Sequence, residues 1–200
     1  MDQTVPLLAR PGVGIHQRRK FFELRNEYTL VDAEGQPLGT ATQERQSFLA
    51  LLVRIFSSLD VALPMTLEVR DTTGAVALEL HKPWFTWRVR VSAPELGLLG
   101  TIRKQIRVGK ARFSLEGPSG EVLGEVRARN WRARDFSVHD PVDTEVARVT
   151  KEWRGLLTEA FSDADSYAVT FQPQLGHPLR ALAFASALAV DIVMKQKDSG

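Results

Sequence analysis

The stretch "HPLRALAFASALAVDIVMKQK", His177 to Lys197, decides the fold, because it must be either a membrane crossing or the inside of the protein. Between Arg180 and Asp191 lie ten residues, Ala181 to Val190, without a charge. At a rise of about 1.5 Å per residue they make about 15 Å of helix, whereas a bilayer core of about 30 Å needs about 20 residues. The flanking Arg180 and Asp191 would be costly near a bilayer centre. A run this short that is apolar on every side belongs to a helix surrounded by protein. Ala181, Ala183, Ala185, Ser186, Ala187 and Ala189 keep it thin, Leu182, Phe184, Leu188 and Val190 supply area to bury, and Pro178 suits a first turn. The spacing predicts a helix over about residues 178–195.

Working outward, the rest of the chain alternates. "YTLVDAEGQPLGTAT" (Tyr28–Thr42) and "LEVRDTTGAVALEL" (Leu67–Leu80) are each two runs of period two about an Asp- and Gly-containing turn. "VSAPELGLLGTI", "FSLEGPSGEVLGEV" and "FSVHDPVDTEVARV" repeat the pattern. Asp opens such turns with side-chain hydrogen bonds, and Gly supplies the positive φ that other residues resist. Gly74, Gly97, Gly120 and Asp143 recur every 23 residues. Regular short strands with one apolar face indicate an antiparallel sandwich or barrel. A thin apolar helix in such a chain has its natural home in the bore of a barrel.

Two segments stand apart. "QERQSFLALLVRIFSSLD" (Gln43–Asp60) carries Phe48, Leu51, Leu52, Ile55 and Phe56 at helical spacing with Arg45 and Arg54 among them. It is expected to be a short helix between strands 2 and 3, either capping one end of the sheet or touching a bilayer. Residues 1–20, with Gly12 and Gly14 in "RPGVGIHQ", are expected to be a flexible N-terminal arm, leaving a single domain over 21–197.

Composition excludes several chemistries. With no Cys there is no thiolate metal site, disulfide or cysteine catalysis, and the start lacks the order of a signal peptide, so a cytoplasmic location is expected. His16, His81, His139 and His177 match no metal-ligand spacing, "GPSGE" is a turn, and Asp140 and Asp143 share a hairpin turn where acids are ordinary. No catalytic residue is identified. Charge is more informative. The chain carries only +2, yet Lys82 to Arg134 holds twelve Lys or Arg against four Glu, a local +8, leaving −6 for the remainder. The candidate phosphate-binding residues are Arg88, Arg90, Arg103, Lys104, Arg107, Lys110, Arg112, Arg127, Arg129, Arg132 and Arg134. Each basic residue near an anionic membrane contributes about 1 kcal/mol, and Trp84, Phe85 and Trp87 could add interfacial contacts or serve as core. Nucleic acid would answer to the same arginines, and a protein partner would need no such clustering.

"VTKEWRGLLTEAFSDADSYAVTFQPQLGHPLRALAFASALAVDIV" (Val149–Val193) resembles the C-terminal part of the phospholipid scramblases through Trp153, Gly155, Glu159, Phe161, Ser162, Asp163, Ala164, Asp165 and Asp191. "LEVRDTTGAVALELHKPWFTWRV" resembles the hairpin and basic-Pro step of that family, and the similarity runs from about Tyr28 to Lys195. The wider group, with the LURP-one-related proteins, is similar in fold to the Tubby C-terminal domain. The resemblance therefore implies a Tubby-like closed antiparallel barrel of about twelve strands around a buried hydrophobic C-terminal helix. It also implies a link to lipid; from the basic surface, peripheral attachment to anionic membrane is expected, and the protein is expected to be a monomer. In calcium-responsive members the "DAD" phrase opens an acidic loop proposed to bind calcium. Here Asp163 and Asp165 remain, but the later acidic positions fall on Gln174 and Gly176, and two carboxylates make a weak site for a cation that wants six to eight oxygens.

Overall fold

The computed structural model describes residues 5–18, 27–43, 64–84, 86–105, 112–130, 135–150 and 166–195, with the backbone alone at Arg18, Arg129, Asn130 and 190–195. Twelve strands follow in chain order: β1 (Gly12–Arg18), β2 (Glu27–Val31), β3 (Pro37–Gln43), β4 (Met65–Asp71), β5 (Val76–Lys82), β6 (Arg88–Ala93), β7 (Gly97–Gln105), β8 (Arg112–Glu116), β9 (Val122–Asn130), β10 (Asp135–His139), β11 (Glu145–Thr150) and β12 (Ser166–Phe171). Each pairs antiparallel with its sequence neighbours, and β1 closes on β12 to complete a barrel. Closure leaves no unpaired edge among these strands. Helix α1 (Leu179–Lys195) follows, its start one residue from the sequence expectation.

The turns repeat one physical solution. Asp32, Asp71 and Asp140 each accept two backbone N–H bonds through Oδ1, from Glu34 and Gln36, from Thr73 and Ala75, and from Val142 and Thr144. The positions spaced by 23 residues all have positive φ: Gly74 at 88°, Gly97 at 69°, Gly120 at 86° and Asp143 at 70°. Asp143 is the exception in chemistry, a residue with a Cβ in the left-handed region, and its carboxylate is engaged by Arg127.

Alternation then builds the core. Leu67 and Val69, Leu78 and Leu80, Val89 and Val91, and Val138 with Phe136 are at most 4% exposed. From Ala181 to Ala189 no residue of α1 exceeds 3% exposure, on any side of the helix. It packs against β6, β7, β8, β9, β11 and β12, and is thus sheathed by the sheet. No helix among the described residues is long and apolar enough to cross a membrane. Gly100 in β7 marks how close the fit is: a Cβ there would lie 2.9 Å from Leu182 and 2.2 Å from the Glu116 carbonyl.

Arg180 anchors the start of the helix. It is 8% exposed and donates from Nε to the Leu8 carbonyl at 2.6 Å, from Nη1 to Leu175 at 3.0 Å and from Nη2 to Arg10 at 2.7 Å. Its guanidinium stacks 4.6 Å from the Phe171 ring centroid, and burial lowers its pKa. The segment it holds corrects the expectation of a flexible arm through residue 20. Pro6–Leu8 form a 3-10 turn with Leu7 and Leu8 buried, and β1 is a barrel strand with Val13 and Ile15 fully enclosed. Two glycines had hidden the alternation there. Apart from Gln43, which ends β3, the expected helix over 43–60 lies outside the described residues.

Candidate functional site

The basic positions of strands β6 to β9 follow from period two. Val89, Val91, Ile102, Phe113, Leu115 and Val126 point into the core, so Arg88, Arg90, Arg103, Arg112 and Arg127 point out. Along these four adjacent strands the described side chains carry six positive charges, these five and Lys104, against two carboxylates, Glu116 and Glu125. The described side chains of the other eight strands carry Arg70, Lys82 and Arg148 against Glu27, Glu68, Asp71, Glu79, Asp135 and Glu145. Among the described side chains these four strands therefore carry a surplus of four positive charges and the other eight a deficit of three.

Register brings like charges face to face. Arg88 pairs directly with Arg103, and Arg112 with Arg127. Like charges directly opposite on a sheet are destabilising. The second pair is relieved internally: Glu125 Oε1 accepts from Arg112 Nη1 at 2.7 Å and from Arg127 Nε at 3.2 Å. Arg127 also donates to Asp143; partial burial alone would lower its pKa, but the bonds to Asp143 and Glu125 outweigh that and raise it. The first pair has no such bridge. Glu116 comes no closer than 3.6 Å to Arg103 and accepts from Ser114 Oγ at 3.0 Å, while Arg88 and Arg90 form no ion pair among the described residues.

A groove of about 750 Å³ lies over the unrelieved pair. Thr86, Trp87 and Arg88 line one side of the sequence step and Arg103, Lys104 and Gln105 the other, with Ser114, Glu116 and Val122 completing it. Lys104 Nζ sits 4.1 Å from the Trp87 ring centroid, which fixes a cation at the groove by cation–π attraction. Trp84, 48% exposed, stands nearby in sequence but does not line it.

Of the remaining sequence candidates, Arg107, Lys110, Arg132 and Arg134 lie outside the described residues, as does the side chain of Arg129. Asp163 and Asp165, the calcium candidates, lie outside them too. Among the described residues no group of three or more His, Asp or Glu could hold a metal. The structure also brings together three residues of one hairpin that the sequence analysis did not group: Ser137 Oγ is 3.0 Å from His139 Nε2, and His139 Nδ1 is 3.3 Å from the Asp143 carbonyl. Ser137 is only 6% exposed, and the Asp143 carboxylate, 3.5 Å from His139, is already engaged by Arg127. This trio knits β10 to its turn and offers no accessible nucleophile.

A family model described as Scramblase matches residues 15–196. A phospholipid scramblase family protein of Schizosaccharomyces pombe is 24% identical over 163 residues, covering 75% of this chain and 42% of that protein. Phospholipid scramblase 1 of Mus musculus is 20% identical, covering 98% and 63%, and phospholipid scramblase 2 of Homo sapiens is 21% identical, covering 88% and 62%. The chain thus spans between 42% and 63% of the length of these curated relatives. The X-ray structure of a protein from Arabidopsis thaliana superposes with a TM-score of 0.56 over 96% of each chain at 14% identity, a likeness of fold alone.

Proposed function

Given that the chain belongs to the scramblase family, we propose that it binds anionic phospholipid at a membrane surface through the outer face of β6 to β9. Family membership implies a phospholipid-scramblase-related function; the surface and the mode of contact are this reading's own. The observation that carries it is the surplus of four positive charges on four adjacent strands beside a deficit on the other eight. Arg88, Arg90 and Arg103 matter most, because Glu125 already compensates Arg112 and Arg127. At about 1 kcal/mol for each of three basic residues, the preference for anionic over neutral membrane is about a hundredfold. Contact is peripheral, since α1 spends its apolar surface on the barrel's own strands.

Co-sedimentation with vesicles of phosphatidylcholine alone, or with phosphatidylserine added, tests this. Binding is expected only with the anionic lipid, weakening with salt and weakening further in the triple variant Arg88→Gln, Arg90→Gln, Arg103→Gln. Equal binding to both vesicles would sink the reading. Displacement from anionic vesicles by duplex DNA at comparable salt would instead favour a nucleic-acid role for the same arginines.

A further inference from the structure

We propose that the groove over Arg88 and Arg103 is a binding site for a phosphomonoester, the doubly ionisable phosphate of a lipid such as phosphatidic acid or of its free headgroup. The inference rests on the anionic-surface reading and sharpens it to one site and one ligand chemistry. The outer face contains its own comparison. Two arginine pairs stand opposite each other across adjacent strands, and in one of them a carboxylate oxygen, Glu125 Oε1, sits between the guanidinium groups. At Arg88 and Arg103 the same like-charge arrangement exists, but the place of the bridging anion is taken by open groove. An external anion there does what Glu125 does at the other pair.

Charge and geometry choose the anion. Arg88 and Arg103 contribute two positive charges from the outer face and Lys104, in register with the inward Phe113, a third from the other side of its strand; with the one negative charge of Glu116 the groove's residues sum to +2. A phosphomonoester carries about −1.5 to −2 at neutral pH, which balances that sum; a phosphodiester, with a single charge, leaves one cation unmatched. Two guanidinium forks can each take a pair of phosphate oxygens, and a lysine acts as a point charge beside them. Lys104 is already held in place against Trp87, and Thr86 and Ser114 line the same groove. About 750 Å³ falls in the range of about 300–1,000 Å³ usual for small-ligand sites.

The test is binding to phosphatidylcholine vesicles containing either phosphatidic acid or phosphatidylserine, with compositions adjusted to equal surface potential. The intact chain is expected to bind the phosphatidic acid vesicles at least tenfold more tightly. Arg88→Gln with Arg103→Gln should abolish that preference, while Arg90→Gln, outside the groove, should weaken both bindings and keep the ratio. Melting temperatures check that the variants fold; Arg88→Gln alone, at an exposed residue with no described ion pair, is the fallback. Millimolar glycerol 3-phosphate and inorganic phosphate serve as soluble competitors. Equal competition by the two assigns recognition to the phosphate alone, and stronger competition by the former extends it to the glycerol. No competition by either, or a preference that survives the double variant, overturns the site. Equal binding at equal potential also overturns it and leaves the anionic-surface reading standing; no binding to either vesicle overturns both.

Discussion

Replacing Phe184 by Ala is the sharpest probe of where α1 lives. The side chain is 0% exposed, midway along nine consecutive buried positions, and it belongs to the same cluster as the inward residues of the strands. If the barrel encloses it, truncation removes a large buried side chain and leaves a cavity that closed strands cannot easily collapse to fill. Such Phe→Ala changes cost about 3–5 kcal/mol, a substantial share of the roughly 5–15 kcal/mol that holds a domain folded. For a chain of 200 residues that corresponds to a fall in Tm of roughly 6–20 °C. Calorimetry without lipid gives the value, with Val142→Ala as the control, since Val142 is 79% exposed and its truncation should cost less than about 0.5 kcal/mol. A loss below about 1 kcal/mol at Phe184, close to the control, would refute an enclosed helix.

Arg180→Met should also destabilise. It strips partners from three carbonyls, at about 1–3 kcal/mol for each one left buried, but relieves a buried charge, so a net loss of about 2–4 kcal/mol is expected by urea unfolding. Chymotryptic cleavage after Leu8, whose carbonyl Arg180 holds, should accelerate in the same variant; an unchanged rate would contradict the clasp. Asp71 supplies a pH signature. The Thr73 hydroxyl foremost holds its carboxyl below the ordinary 3.8; burial opposes it next in size, and the backbone N–H groups of Thr73, Ala75 and Gly74 add smaller lowering effects. A depressed acid stabilises above the unfolded pKa and loses that contribution as pH falls through the folded one. Stability of the wild type should therefore drop more steeply than that of Asp71→Asn as pH is lowered below about 4; parallel profiles would show the turn to be indifferent to the charge.

The parts of this structure legible in sequence are those set by local chemistry. Ala181 to Ala189 declared a thin buried helix, and the spacing of Gly74, Gly97, Gly120 and Asp143 marked positions that all have positive φ. β1 was missed because Gly12 and Gly14 leave Val13 and Ile15 without the polar partners that make alternation visible. The basic residues were legible as a group, but their pairing was not. Which arginine faces which depends on register, and register shifts between Val91 and Ser92 and again between Leu115 and Glu116. That Glu125 compensates one pair while the other stands over a groove is a fact of four strands at once. Arg180 is similar: its partners Leu8 and Arg10 are 172 and 170 residues away, beyond any local pattern.

Hydrogen–deuterium exchange with and without anionic vesicles tests most directly whether the domain meets a membrane by its outer strands while its apolar helix stays inside. The amides of Ala181 to Ala189 should be among the slowest in the free protein and stay so on vesicles, while new protection gathers on β6 to β8. Fast exchange of the helix in the free protein, or its release when vesicles are added, would contradict this.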